Sequence, residues 1–301
     1  MERYSNLRGK ALYFLLFMWF LWFVNFIIRM VFAPILPLVE DEFMINHARA
    51  SSIFIFLSGG YGVAVVASGL FSGKFGYKRS IVLSLLLLSL VAFLIPLVHN
   101  FTLLRLFAVV VGFAVGSYMP SAIPLMTDYY LEKHWGKVIA IHDTGASSAI
   151  LAAPFVVLFL LCFFPWRGIF VVLACTYLIC AVIFSFLGSE VSIGDPPRAL
   201  VRHIIRMKSL WVMSILWIFC TGANLGIYSI VPLYLTKELH LSIGYANTVL
   251  GISRLGAVGV AIACGFLIDR FNLRKIMFSV TIITGFFTVL LGVMPVRYIG
   301  I

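Results

Sequence analysis

The chain has 301 residues, 62% of them hydrophobic and 11% charged, with a mean hydropathy of +1.10. A soluble domain carries about 25% charged residues, so a soluble globular domain is excluded, and the absence of ~10-residue alternating segments argues against a membrane β-barrel. The formal net charge of +11 is spread over short loops between apolar runs, which points to membrane topology rather than to nucleic acid.

Apolar runs of about 20 residues or more fall at 11–37, 50–72, 78–98, 102–128, 138–163, 167–188, 210–235, 244–268 and 276–295. They predict an all-α protein with nine membrane spans. The first span follows a basic start (Arg8, Lys10) and continues past 20 residues without a small-residue cleavage site, so it reads as a helix and not as a cleaved signal. Within it Trp22, Asn25 and Arg29 follow one another at helical steps and share one face. Either Arg29 binds an anionic substrate group beside Asn25 and Trp22, or it snorkels to the outer interface. The acidic run Glu40-Asp41-Glu42 closes this region.

The second and third spans meet at 69–79, GLFSGKFGYKR, a tight basic hairpin containing Gly69, Lys74, Gly76, Lys78 and Arg79. In the fifth span His142 and Asp143 lie a turn or two from its start. They can carry a coupling proton, since burial raises a carboxylate pKa and His titrates near neutrality, or they cap and pair locally at the cytoplasmic rim. The polar segment 189–209 has a Pro-Pro break and then a basic amphipathic stretch with Arg202, Arg206 and Met207, suited to a membrane surface.

The seventh span offers Asn224 and Tyr228 one turn apart, flanked by Gly222 and Gly226, which allow bending or close small-residue packing. The eighth carries Arg254 near its middle, too deep to snorkel easily. A charge there costs about 3 kcal/mol or more, so Arg254 either binds an anion or pairs with an acid such as Asp143. After that span 265–275, GFLIDRFNLRK, repeats the layout of 69–79 at an offset of 196 positions, with Gly265, Asp269, Arg270, Arg274 and Lys275 in the matching places. The register holds back from Gly60/Gly256 to Glu42/Glu238. Such a repeat points to two related helical halves. Counting loop Lys and Arg gives fifteen on the N-terminal side against five on the other, which sets the N-terminus in the cytoplasm.

The paired signatures resemble those of the major facilitator superfamily, whose pattern between helices 2 and 3 is roughly G-x-x-x-D-R/K-x-G-x-R/K-R/K, with a weaker copy between helices 8 and 9. The first copy here has Gly73 where the family usually has Asp; the second keeps Asp269 but has Asn272 in place of the second Gly. The resemblance implies a twelve-helix bundle of two six-helix halves, in which these loops act as gating latches, the first against helix 11 and the second against helix 5. It also implies that helix 1 lines a central cavity and that an Arg in helix 8 holds a carboxylate or oxyanion, as in several anion carriers of the superfamily. Arg105 is the candidate for the family's helix-4 Arg, and the G-P-x-x-G-G pattern of drug/proton antiporters is missing from the fifth span.

The sequence is thus expected to form a six-helix half over 1–188, a cytoplasmic linker over 189–209 and a partial second half over 210–301, three helices short of the family's twelve. The expected function is secondary transport of a small solute, an organic or inorganic anion, by alternating access. Substrate contacts are expected from Arg29, Asn25, Trp22, Arg254, Asn224 and Tyr228, with proton coupling at His142 and Asp143. No enzyme chemistry, metal or cofactor is expected: there is no phosphate-cradling loop, and the five cysteines (Cys162, Cys175, Cys180, Cys220, Cys264) lie inside apolar runs without metal spacing. The expected partners are a small anion and the lipid bilayer of the cell (inner or plasma) membrane, with the protein a monomer. The alternatives are a truncated, non-transporting fragment and a membrane sensor built on a transporter scaffold.

Overall fold

The computed structural model describes residue 4 and residues 8–188, 206–268 and 273–293. They form α1 (Lys10–Phe43), the short α2 (His47–Ser51), α3 (Ile53–Phe75), α4 (Tyr77–Leu94), α5 (Phe101–Tyr129), α6 (Trp135–Leu161), α7 (Trp166–Leu187), α8 (Lys208–Lys237), α9 (Ile243–Ile268) and α10 (Leu273–Val293). Among the described residues, seven segments are long and apolar enough to cross a membrane by themselves, and a shorter apolar stretch, Phe278–Phe287, lies in α10. The nine long helices coincide with the nine apolar runs, and the chain is an all-α, multi-pass membrane protein. Successive helices run in opposite directions. One end of the bundle, the near end, carries the start of α1, and the other, the far end, carries Glu40–His47.

The turns follow from their residues. Gly76 ends α3 and caps α4 with φ 88°, a left-handed conformation that suits glycine, so the chain reverses in a single residue. Ser80 Oγ then donates to the Gly76 carbonyl at 2.7 Å. At the far end Asn46 accepts from Arg49 N at 2.9 Å and Asn100 from Thr102 N at 2.8 Å, capping α2 and α5.

α1 is the central element and packs on α5, α6, α7, α8 and α9. It continues through Pro34 and Pro37 to Phe43, beyond the expected end at 37; proline is tolerated within membrane helices. Asn247 of α9 donates to the Pro34 carbonyl at 3.3 Å. α3 and α5 approach closely at three glycines: a methyl on Gly60 would lie 2.0 Å from the Val109 carbonyl oxygen, one on Gly112 1.9 Å from that of Leu57, and one on Gly116 2.7 Å from that of Tyr61. Gly145 brings α6 against Trp19 and Trp22 of α1 in the same way. By contrast no described residue lies within 4 Å of a methyl built on Gly222 or Gly226.

α8 and α9 meet the first six helices in the far half of the bundle, through Asn247 on Pro34 and Gly251 against the Phe155 ring. In the near half of α8, Trp211, Trp217, Ile218 and Phe219 are all exposed.

Candidate functional site

Arg254 lies 11 residues into α9, roughly 16 Å along the helix at 1.5 Å per residue. Its Nη1 donates to Asn224 Oδ1 on α8 at 3.0 Å. Its guanidinium carbon lies 4.7 Å from the centre of the Tyr228 ring, within cation–π range. Asn224 and Tyr228 are one helical turn apart, so both reach the same guanidinium. Tyr228 is buried at 1% exposure, and neither its hydroxyl nor Arg254 Nε has a hydrogen-bond partner among the described residues. Among the described residues no carboxylate stands within ion-pair distance of Arg254. The alternative of an Arg254–Asp143 pair is therefore corrected: an uncharged amide and an aromatic face surround the cation, leaving its charge uncompensated.

The first-helix trio is distributed differently. Trp22 stacks on Tyr118 of α5 (5.3 Å between ring centres, 7° between planes) and on His142 of α6 (5.9 Å, 11°). Asn25, fully buried, donates to Ser84 Oγ of α4 at 3.3 Å, and Ser84 donates to the Ala114 carbonyl at 2.7 Å. Both side chains are thus engaged within the first six helices. Arg29 places its guanidinium 4.6 Å from the Tyr61 ring centre on α3 and 5.6 Å from that of Phe26. Tyr61 is acted on electrostatically by both Arg29 and Asp143, so these three groups share one neighbourhood.

His142 and Asp143 part company. Asp143 is exposed, whereas His142 is fully buried. Its Nε2 lies 3.3 Å from Tyr118 Oη, which also lies 3.1 Å from the Met18 carbonyl. A phenol has one proton. Given to Met18, it leaves Tyr118 Oη as acceptor, which fixes the neutral imidazole as the Nε2–H tautomer. Nδ1 is then a buried acceptor with no protein partner.

Of the hairpin residues, Gly76 forms the turn, Lys78 is half-buried, with its Cγ 3.4 Å from a methyl built on Gly188, and Arg79 is exposed. Gly69, Lys74, Gly265 and Arg274 lie on helices whose side-chain surroundings are not described there; Lys275 is exposed. Asp269 and Arg270, and 189–205 of the expected linker, lie outside the described residues. Arg105 rests on Phe56 and Phe101 near the far end, with Nη2 3.4 Å from Thr102 Oγ1.

Sequence reasoning passed over three groups. Tyr61 and Tyr118 sit inside apolar runs with nothing to distinguish them. The third is a charged cluster at the far end. Glu42 accepts from Trp166 Nε1 at 2.6 Å and from Arg167 Nε at 2.9 Å. His47 contacts Glu40 at 2.7 Å and Glu238 at 3.2 Å, and Lys237 pairs with Asp41. The 196-residue offset was the available signal, because Asp41 and Lys237 are equivalent positions of the repeat. A pair formed by such positions lies close to the axis relating the two copies.

Comparison with known proteins follows from this geometry. No curated protein matches the chain. Among solved structures, the fold is similar to a bacterial homolog of the human lysosomal transporter Spinster in an inward-facing, unoccupied conformation, with a TM-score of 0.71 and 19% identity over 89% of this chain and 64% of that one. It is also similar to a D-xylose–proton symporter (TM-score 0.66, 13% identity, 88% of this chain and 70% of that one) and to the peptide transporter POT solved with sulfate (0.51, 16%, 91% and 55%). The chain thus spans just under two thirds of the length of the Spinster homolog. A family model of the Major Facilitator Superfamily matches residues 18–300, and the chain belongs to that superfamily.

Proposed function

We propose that this protein is a secondary transporter that binds a small anion, a carboxylate or an inorganic oxyanion, at Arg254 and moves it by alternating access between two helical halves. One observation carries the reading: a mid-span guanidinium held by Asn224 and Tyr228, with no carboxylate in ion-pair reach among the described residues. Guanidinium suits the task because it stays charged and offers a planar fork of donors that matches a carboxylate or oxyanion. In a low-dielectric setting an anion would neutralise it. Arg29 on Tyr61 is a second cation for the same ligand or for its path, and Asp143, exposed in the same neighbourhood, is the candidate for a coupling proton, with buried His142 its alternative.

In this reading residues 1–188 form one half, 189–209 the connection and 210–301 the start of the other half. The N-terminus faces the cytoplasm of a cell membrane, in accord with the distribution of basic residues, and the protein acts as a monomer. Contact between the blocks in the far half, with exposed residues in the near half of α8, fits an inward-open arrangement.

The test is ligand-induced stabilisation of the detergent-solubilised chain by a panel of small carboxylates and inorganic oxyanions. A bound anion at a hundredfold excess over its Kd stabilises by about 2.7 kcal/mol, read as a rise in Tm. The rise is expected for at least one member of the panel and is expected to vanish in Arg254→Ala. An equal rise in wild type and Arg254→Ala would contradict the assignment.

A further inference from the structure

The far-end cluster joins the two blocks of helices through a histidine. His47 Nδ1 lies 2.7 Å from Glu40 Oε2 on α1, and His47 Nε2 lies 3.2 Å from Glu238 Oε1 at the end of α8. Both ring nitrogens therefore face carboxylate oxygens, which are acceptors only. A neutral imidazole has one N–H and one bare lone pair, so it can satisfy one of these contacts and must turn a lone pair toward the other. Only the imidazolium donates to both.

The two contacts are unequal. Glu40 is nearly buried, whereas the Glu238 side chain is 57% exposed and can turn to water. On deprotonation the remaining N–H stays with Glu40, which has less water to turn to, and the Glu238 bond is the one lost. Glu40 and His47 belong to the first block and Glu238 to the second, so the bond that depends on the proton is one that ties the blocks together.

The charged and titratable groups around His47 divide cleanly. Glu40, Asp41 and Glu42 come from α1, Arg49 from its own helix α2, Lys237, Glu238 and His240 from the end of α8, and His99, Arg105 and Arg167 from the neighbouring helix ends. Asp41 is taken by Lys237 and Glu42 by Arg167 and Trp166. Of these pairs only Asp41–Lys237 crosses between the blocks, since Glu42, Trp166 and Arg167 all belong to the first; the His47–Glu238 bridge adds a second crossing tie only when protonated.

From this geometry we propose that His47 is a proton-operated latch: its protonation from the far side adds a second tie between the two helical blocks beside Asp41–Lys237, and its deprotonation removes that tie and loosens the far end. The His47 side chain is 46% exposed at the far end. Its proton therefore enters from and returns to the far side, and is not carried across with a substrate. The latch is a regulator of opening and stands apart from the anion site at Arg254.

The experiment places spin labels at Met44 and Tyr245, at the far ends of α1 and α9, in the full chain in nanodiscs with native cysteines replaced, and measures the distance distribution at pH 5 and pH 8. A single short population is expected at pH 5 and a shift toward a longer one at pH 8. His47→Gln, which is uncharged and does not gain a proton between these pH values, is expected to give the pH 8 distribution at both values. Glu238→Gln serves as the second variant, removing the partner acid at an exposed position, and is expected to lose the pH response in the same way. A wild-type distribution that does not change with pH, or a shift retained in both variants, would overturn the proposal.

Discussion

Around Arg254 the arrangement rests on three side chains whose energetics pull in different directions. The Tyr228 hydroxyl is buried without a partner among the described residues, and an unsatisfied buried hydroxyl costs about 1–3 kcal/mol. Tyr228→Phe keeps the ring beneath the guanidinium and removes that cost, so the ligand-free protein is expected to keep or raise its Tm. The same substitution is expected to weaken anion binding about tenfold or more, since a hydrogen bond to a charged group contributes roughly 1.5–3 kcal/mol. Asn224→Ala is expected to lower both, because it strips Arg254 of its protein acceptor. Parallel measurements of Tm and anion affinity check the split; Tyr228→Phe changes that run in the same direction would contradict it. This trio was legible in the sequence because helical spacing puts Asn224 and Tyr228 on one face and a mid-span Arg stands out against apolar neighbours. The first-helix trio was only half legible. Periodicity put Trp22, Asn25 and Arg29 on one face, but it could not reveal that Tyr118, His142 and Ser84 would cover that face.

Among the elements, glycines do opposite things in the two blocks. Gly112 lets α3 and α5 touch backbone to backbone, and a methyl there would meet the Leu57 carbonyl oxygen at 1.9 Å. Overpacking of this kind costs typically about 1–3 kcal/mol, so Gly112→Ala is expected to lower Tm by several degrees. On α8 no described residue lies within 4 Å of a methyl built on Gly222. There Gly222→Ala is expected to leave Tm unchanged or raise it, since Ala is favoured over Gly in a helix by up to about 1 kcal/mol. Thermal unfolding of the two variants in detergent decides; equal losses would contradict the packing account. The helices themselves were legible from apolar runs, and their ends less so. The first run stops in the sequence at Pro37, but α1 continues to Phe43, since proline is tolerated within membrane helices. Pairing between α3 and α5 left little trace, since a glycine in an apolar run has the same appearance whether it touches another helix or lipid.

For the whole molecule, the 196-residue repeat and the basic hairpins carried the family, and the family carries the two-half architecture. The far-end charge network was not legible because its members come from helix ends and short turns, where no periodicity applies. The Asp41–Lys237 pair gains meaning only once the repeat is laid on the structure: equivalent residues that touch lie close to the axis relating the two copies. In the proposed mechanism a rocking motion of the two halves exposes the Arg254 site to either side in turn. The most direct measurement is uptake of labelled small carboxylates and oxyanions into proteoliposomes containing wild type, Arg254→Ala or Arg254→Lys. Saturable uptake of at least one anion by wild type is expected, absent in Arg254→Ala and reduced about tenfold or more in Arg254→Lys, which keeps the charge but loses the planar fork. Undiminished uptake by both variants would contradict the assignment of the anion site to Arg254.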